Sequence, residues 1–338
     1  MKHEGDQTAS DSGTQPLLLR GDLGHCANRG RTYPREGNMS ELVEVRDYKC
    51  LRYLRQSLQQ FHLLVGSNAS GKSTLLDSLL FVRDLSRLDV EAAVHAHRRS
   101  VAELVWKGGG DAFEIALEFR LPEEVRSTLA DDCYRALRYE VRVRGTEGGI
   151  WLEVENLWLL AAPQRRGRER EEVAGRSFPR EPEVPDTIVI PPAKHAPKGW
   201  RKVMSRSKDG RVYVQSERTR WNMGLRPLPG RSGLTVIPEE QERFPAAVWL
   251  RRLLTERIQF LMLDSYAMRA PVPPDAPDTY QPTGANLTKL VEGLQKNHRN
   301  RFRDRVQHVH TVLEDVEEIT VRERPRADAL QRYCKGVG

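Results

Sequence analysis

Phe61-His62-Leu63-Leu64-Val65 runs into Gly66-Ser67-Asn68-Ala69-Ser70-Gly71-Lys72-Ser73-Thr74, and then into Leu75-Leu76-Asp77-Ser78-Leu79-Leu80-Phe81-Val82. An apolar run of strand length, a glycine-framed polar loop and leucines at helical spacing predict a strand, a tight loop and a helix in that order. The loop satisfies GxxxxGK[ST] in full, a pattern whose residue types follow from phosphate chemistry. Gly66 and Gly71 permit backbone angles and close approaches that a Cβ would block. Successive backbone N–H groups then converge on an anion at the positive end of the following helix. On this reading Gly66, Ser67, Asn68, Ala69, Ser70 and Gly71 cradle nucleotide phosphates and Lys72 reaches the β- and γ-phosphates. Ser73 ligates Mg²⁺, and Thr74 contacts the α-phosphate or caps the helix. The expected cofactors are therefore ATP and Mg²⁺.

Working outward, Leu42 to Tyr48 reads as a strand before the loop. After the helix, Ala112–Leu121, Arg138–Val143 and Ile150–Leu160 alternate apolar with charged residues. Tyr139-Glu140-Val141-Arg142-Val143 shows the pattern most plainly, and it predicts an antiparallel sheet with one wet face. Glu114, Glu118, Glu140 and Glu153 fall on the outward positions of that alternation. Residues 1–38 are a polar leader with no period, and Met39 reads as a natural start. Residues 39–161 form the loop-bearing lobe with its antiparallel strands, and 162–183 a charged linker. A second lobe, 184–330, carries a strand at Thr187–Ile190, a basic hairpin around Asp209-Gly210 and an amphipathic helix over Ala246–Leu261. A helix N-capped by Asn286, a helix near Arg301–Leu313 and a strand at Glu318–Val321 follow, and 331–338 are a tail.

The form GxNxSGKS, with Val45-Arg46-Asp47-Tyr48-Lys49-Cys50-Leu51 before it, resembles the heads of RecF/SMC-like, ABC-type ATPases. It is most similar to the stand-alone "AAA family ATPase" group that includes relatives of overcoming-lysogenization-defect proteins. Leu261-Met262-Leu263-Asp264-Ser265 and Thr283-Gly284-Ala285-Asn286-Leu287 also resemble segments of that group. The resemblance implies an α/β P-loop NTPase fold, an ABC/RecF-like head with an antiparallel β subdomain and a helical region. It further implies ATP-driven head dimerisation, with roles in DNA transactions or phage defence and a nuclease or DNA as partner.

Two parts of that machinery have no counterpart in the sequence. Family members close a signature loop over nucleotide held by the other head, and a Walker B strand ends in Asp-Glu to hold Mg²⁺ and polarise water. Here no LSxG-like sequence occurs and no apolar run ends in Asp-Glu. Phe260-Leu261-Met262-Leu263-Asp264 has the form of a Walker B, but Ser265 stands where the Glu belongs, so Asp264 reads as structural. The chain stops at Gln331–Gly338, where relatives continue, which reads as a truncated head completed by a second copy or by a partner polypeptide. The alternative reading is a non-catalytic nucleotide-binding regulator or adaptor, or a degenerate ATPase. A GTPase is disfavoured because no NKxD or DxxG motif follows the loop.

Composition sets the wider bounds. The chain has 338 residues, 30% of them charged, with a mean hydropathy of −0.61 and a net charge of +7. No apolar stretch is long enough to span a bilayer, and MKHEGDQTASDSG is no secretory signal, so a soluble cytoplasmic protein without a membrane partner is expected. Four dispersed cysteines form no CxxC pair and predict neither a zinc site nor a disulfide framework. Of 54 basic residues only 11 are Lys, and the segment Trp200–Trp221 is strongly basic. Its interleaved aromatics suit base stacking, but a solvated hairpin packed on its domain is the favoured reading. His95/His97 and His308/His310 are two residues apart, which on a helix points them in opposite directions and forbids a shared metal.

Overall fold

The computed structural model describes residues 40–59, 61–107, 110–161, 183–191, 196–219, 221–240, 242–323 and 330–336. The expected leader and almost all of the expected linker lie outside them. The architecture is mixed α/β. Strands β1 (Ser40–Tyr48), β2 (Leu51–Ser57), β3 (Ala112–Arg120), β4 (Ala136–Thr146), β5 (Gly149–Leu160), β6 (Trp200–Arg206), β7 (Val212–Gln215) and β8 (Asn222–Leu225) form one eight-stranded sheet. Its order is β2-β1-β3-β4-β5-β6-β7-β8, and every pairing described is antiparallel. Helices α1 (Lys72–Arg87) and α2 (Val90–His97) follow β2, and the short α3 (Glu123–Arg126) follows β3. Then come α4 (Pro245–Arg252), α5 (Ser265–Arg269), α6 (Leu287–Asn297) and α7 (Arg299–His310). Strands β9 (Val316–Glu323) and β10 (Leu330–Gly336) pair with each other as a separate two-stranded ribbon.

The sheet's alternation places one apolar row across six of its eight strands, from β1 to β7. Val43 lies opposite Leu117, Leu117 opposite Tyr139, Tyr139 opposite Leu157, Leu157 opposite Met204, and Met204 opposite Val214. All six are buried in one cluster with Leu75, Phe81, Val82 and Leu85 of α1 and with Val248 and Leu250 of α4. Because successive strand residues alternate faces, this row fixes the register: a one-residue slip would send the whole row to the opposite side. In α1 the buried positions are Leu75, Ser78, Phe81, Val82, Leu85 and Ser86, spaced by three and four, whereas Leu76 is exposed.

The opposite face is not wet, which corrects the expectation drawn from the alternation. Glu114, Glu118 and Glu140 are buried rather than solvated. Residues 183–191 form no strand, contrary to the expected Thr187–Ile190 strand, and lie across the charged row as a strap. Arg138 sits at its centre, donating to Glu44 (2.9 Å), Glu118 (2.9 Å), Glu140 (2.7 Å) and the Ile188 carbonyl (2.8 Å). Glu114 accepts from the Ile188 amide at 2.7 Å, and Glu140 from the Ile190 amide at 3.0 Å. Irregular backbone can cover a sheet face because these carboxylates satisfy its N–H groups. Glu153, by contrast, is partly exposed and ion-paired with Arg142 and Arg144.

Three further expectations change. The amphipathic helix does not reach Leu261: α4 ends at Arg252, a single π-helical turn covers Leu253–Arg257, and the chain is extended from Ile258. Apolar spacing persists past the end, but Leu261, Met262 and Leu263 are exposed, so no core draws that stretch into a helix. Asn286 occupies the N-cap position of α6 without a side-chain cap bond. Its amide donates to the Pro277 and Thr279 carbonyls (2.6 and 2.7 Å) and accepts from the Gln281 amide, which pins the proline-rich loop before the helix. Residues 331–336 of the expected tail belong to β10 and pair with β9 as a strand. Among the described residues, no helix is long and apolar enough to cross a membrane.

Candidate functional site

The loop Gly66–Gly71 leaves the sheet region and ends on α1, whose first residue is Lys72. Gly71 occupies the N-cap position at φ +88°, in the left-handed region that favours glycine. Its bare Cα is also sterically required: a Cβ there would lie 2.8 Å from the side chain of Leu51, the first residue of β2. At Gly66 a Cβ would meet the Ser70 hydroxyl at 3.0 Å. Ala69 adopts φ +63°, which turns the chain tightly enough for the Ser70 amide to bond the Ser67 carbonyl at 3.3 Å.

The Lys72 ammonium is folded back over this loop. It donates to the Gly66 carbonyl (2.9 Å), the Ser67 carbonyl (2.6 Å) and the Ser70 hydroxyl (3.1 Å). Ser73 is exposed in the first turn of α1, and the Thr74 hydroxyl lies 3.1 Å from the Cys50 sulfur. Residues 66 to 74 are thus gathered at one helix N-terminus, where unpaired N–H groups and the helix dipole favour an anion.

The lead-in to this loop differs from the expected strand. Phe61, Leu63 and Val65 are 82%, 72% and 82% exposed, and residues 61–65 belong to no strand. A run this apolar reads as a strand buried on both faces, yet a strand exists only if a neighbour accepts its backbone groups. Both sides of β1 are taken, by β2 and β3, and the β9–β10 ribbon pairs only with itself.

Below the loop, α1 is tied to the sheet by a compact polar cluster. The Asp77 carboxylate accepts from the Tyr48 hydroxyl (2.5 Å), the Lys49 ammonium (2.5 Å) and His97 Nδ1 (2.9 Å). The other ring nitrogen of His97 reaches Asp84 at 3.1 Å, so one buried imidazole bridges two carboxylates of the same helix. Burial pushes the Asp77 carboxyl up, but hydrogen bonds from His97, Lys49 and Tyr48 outweigh it and hold the group below the usual carboxylate range. For His97 burial acts downward, and the bonds to Asp77 and Asp84 overcome it, leaving the imidazole above its ordinary value. Phe81 packs edge-on against the same ring. Sequence reading treated His97 only as half of an HxH pair. The signal available was its position at the end of α2, opposite two acids seven residues apart on α1.

The remaining candidates resolve into structural roles. Asp264 caps α5, accepting from the amides of Tyr266 (2.8 Å) and Ala267 (3.3 Å), in line with a structural reading. In the basic hairpin most cations are engaged inside the molecule. Arg201 donates to the carbonyls of Ser216, Glu217 and Thr219, Arg206 to the buried Glu155, and Lys202 lies over the Trp158 ring. Glu217, missed by sequence reading, is buried at the start of α4 and accepts from the Ala246 and Ala247 amides at 2.6 and 2.8 Å. Desolvation pushes its carboxyl up to about 7 against those two bonds. Among the described residues no group of three or more His, Cys, Asp or Glu is placed to hold a metal.

Comparison with known proteins adds the family. No curated protein matches the chain. A solved SMC ATPase, from work on ATP-driven dimerisation and DNA-stimulated activation, is similar at 22% identity over 36% of this chain and 69% of that chain. Its TM-score is 0.25, too low to carry an argument. The profile of one family spans residues 61–315, well over half of the sequence, beginning at the lead-in to the phosphate-type loop and ending before β9. The chain therefore belongs to the family described as "AAA domain, putative AbiEii toxin, Type IV TA system".

Proposed function

We propose that this chain is an ATP-binding P-loop ATPase subunit that holds Mg-ATP on Gly66–Thr74 and works through nucleotide-driven association. The partner is a second copy or another polypeptide supplying the signature loop and the catalytic carboxylate. One observation carries the reading: the Lys72 ammonium lies against two loop carbonyls and the Ser70 hydroxyl, above the N-terminus of α1. Those three oxygens neutralise only partial charge, so a polyphosphate competes for the ammonium with full negative charge. The loop's tight form depends on glycine at 66 and 71, where a Cβ would press on the Ser70 hydroxyl and the Leu51 side chain.

In this assignment the loop amides not already bonded within the loop would hold the phosphates, Lys72 would exchange its loop oxygens for β- and γ-phosphate oxygens, and the Ser73 hydroxyl would be the protein's ligand to Mg²⁺. When bound, Mg-ATP would supply a γ-phosphoryl group for transfer to a positioned in-line water, with ADP as the leaving group. Asp264, the one residue at the end of a Walker B-like run, is committed to capping α5 rather than polarising that water. The chain alone therefore binds nucleotide and turns it over slowly. An involvement in DNA transactions or phage defence, beside a nuclease, rests on the family resemblance.

Calorimetry of Mg-ATP on the full chain beside Lys72→Ala, with phosphate release followed on the same samples, tests the proposal. Binding that the substitution abolishes, with little turnover until a partner is added, is the expected result. Equal binding by both proteins would remove the loop from the assignment. Fast Lys72-dependent turnover by the isolated chain would instead show that it carries its own catalytic carboxylate.

A further inference from the structure

The sheet carries a second concave site, separate from the phosphate-type loop. It is a groove of about 1000 Å³ between the start of β5, the β6–β7 turn and the loop at residues 226–230. Its volume is at the upper end for sites that take small molecules. Leu152, Val189 and Pro191 supply apolar lining, while Trp151 remains 39% exposed and Leu228 72% exposed. A single exposed apolar residue needs no explanation, but an indole and a leucine lining one groove form a patch.

Charge around the groove is unequal. Of its carboxylates, Glu153 is held by Arg144 at 3.0 Å and Asp209 pairs with Arg211 at 3.4 Å. Arg142 is matched by Glu114 and Arg206 by the buried Glu155. Two cations are left over. Lys208 and Arg226 both line the groove, both are exposed, and neither has a carboxylate partner among the described residues. The site thus combines a stacking surface, an apolar lining and two uncommitted positive charges.

We infer that this groove binds a short single-stranded segment of nucleic acid, with a base stacked on Trp151 and phosphates beside Lys208 and Arg226. A base brings a flat apolar face and its phosphodiester a fixed negative charge, the two properties that the lining complements. A duplex does not fit this chemistry, because its bases are already stacked on each other. An acidic peptide satisfies the cations but offers no regular planar face to the indole. The site uses none of the residues of Gly66–Thr74, so it stands or falls independently of the nucleotide assignment.

Fluorescence anisotropy of the full chain with a labelled 15-nucleotide oligothymidine tests the inference, read across a series of salt concentrations. The comparison ligands are the same sequence as a duplex, thymidine monophosphate and oligo-glutamate of equal charge. The expected order is single strand well ahead of duplex, mononucleotide and oligo-glutamate. Trp151→Ala should weaken the single strand about tenfold or more. Lys208→Ala combined with Arg226→Ala should lower the slope of log affinity against log salt by about 1.4, two contacts at roughly 0.7 each. Lys72→Ala should bind the oligonucleotide as the parent does, which separates this site from the phosphate-type loop. Circular dichroism and melting temperature establish that the groove variants are folded, since all three side chains lie at the surface. No binding by the parent chain at low salt, unchanged affinity in the folded variants, or equal binding of oligo-glutamate would each overturn the proposal.

Discussion

At the scale of single residues, the polar cluster under the P-loop helix has a pH window that can be read from its signs. The folded state holds Asp77 and Asp84 below their ordinary 3.8, so their contribution is present above that value and fades as acid protonates them. It holds His97 above its ordinary 6.5, so that contribution is complete below 6.5 and is lost as pH rises through the folded-state value. The cluster stabilises most between the two. His97→Gln should therefore flatten the fall in stability above pH 6.5, measured as urea midpoints at pH 5.5, 6.5 and 8.0. An unchanged pH profile in the variant would remove His97 from this role. Gly71→Ala is a test of another kind. Its φ of +88° and the 2.8 Å approach to Leu51 should cost roughly 1–3 kcal/mol of stability and disrupt nucleotide binding as well. A variant with parental melting temperature and parental ATP affinity would contradict the geometry of the loop.

At the scale of elements, the strap over the charged row shows why some structure is legible in sequence and some is not. Alternation in Tyr139-Glu140-Val141-Arg142-Val143 correctly gives a strand and correctly puts Tyr139, Val141 and Val143 on the core face. It cannot say what lies on the other face, because the cover comes from Thr187 to Ile190, about fifty residues later, and carries no period of its own. Glu140 therefore looked solvated and is fully buried. The loop Gly66–Thr74 was legible for the opposite reason, since all its constraints are local. Residues 61–65 were misread because strand identity depends on a neighbour that sequence does not name. The strap also generates a prediction. Arg138→Met would leave Glu44, Glu118 and Glu140 clustered without their shared cation, and breaking a buried ion network costs about 3–5 kcal/mol. Chemical denaturation should show that loss, together with faster proteolysis within 183–191. A variant as stable as the parent would mean the carboxylates are satisfied by other means.

At the scale of the whole molecule, the described residues divide by how much holds them. The sheet and the buried faces of α1 and α4 share one apolar cluster, whereas residues 61–71 and 261–266 expose large side chains or polar loop to solvent. Phe61, Leu63 and Val65 lie immediately before the proposed nucleotide loop, so a partner covering them would alter that loop too. Substituting all three with Ser should leave the unfolding free energy within about 1 kcal/mol of the parent, since exposed positions contribute little. The same substitution should reduce any Mg-ATP-dependent increase in mass seen by light scattering. Parental assembly in the triple variant would place the association surface elsewhere.

The row from Val43 to Val214 has one more consequence. Six strands are joined through a single line of cross-strand neighbours, so their backbone amides can be released to solvent only when that line parts as a unit. Deuterium uptake should therefore have two tiers. Amides at 61–70 should exchange within seconds, whereas those of β3, β4 and β5 should exchange together at the slowest rate in the chain. Nucleotide would then report its own arrival as protection in the fast tier, while the slow tier kept its pace.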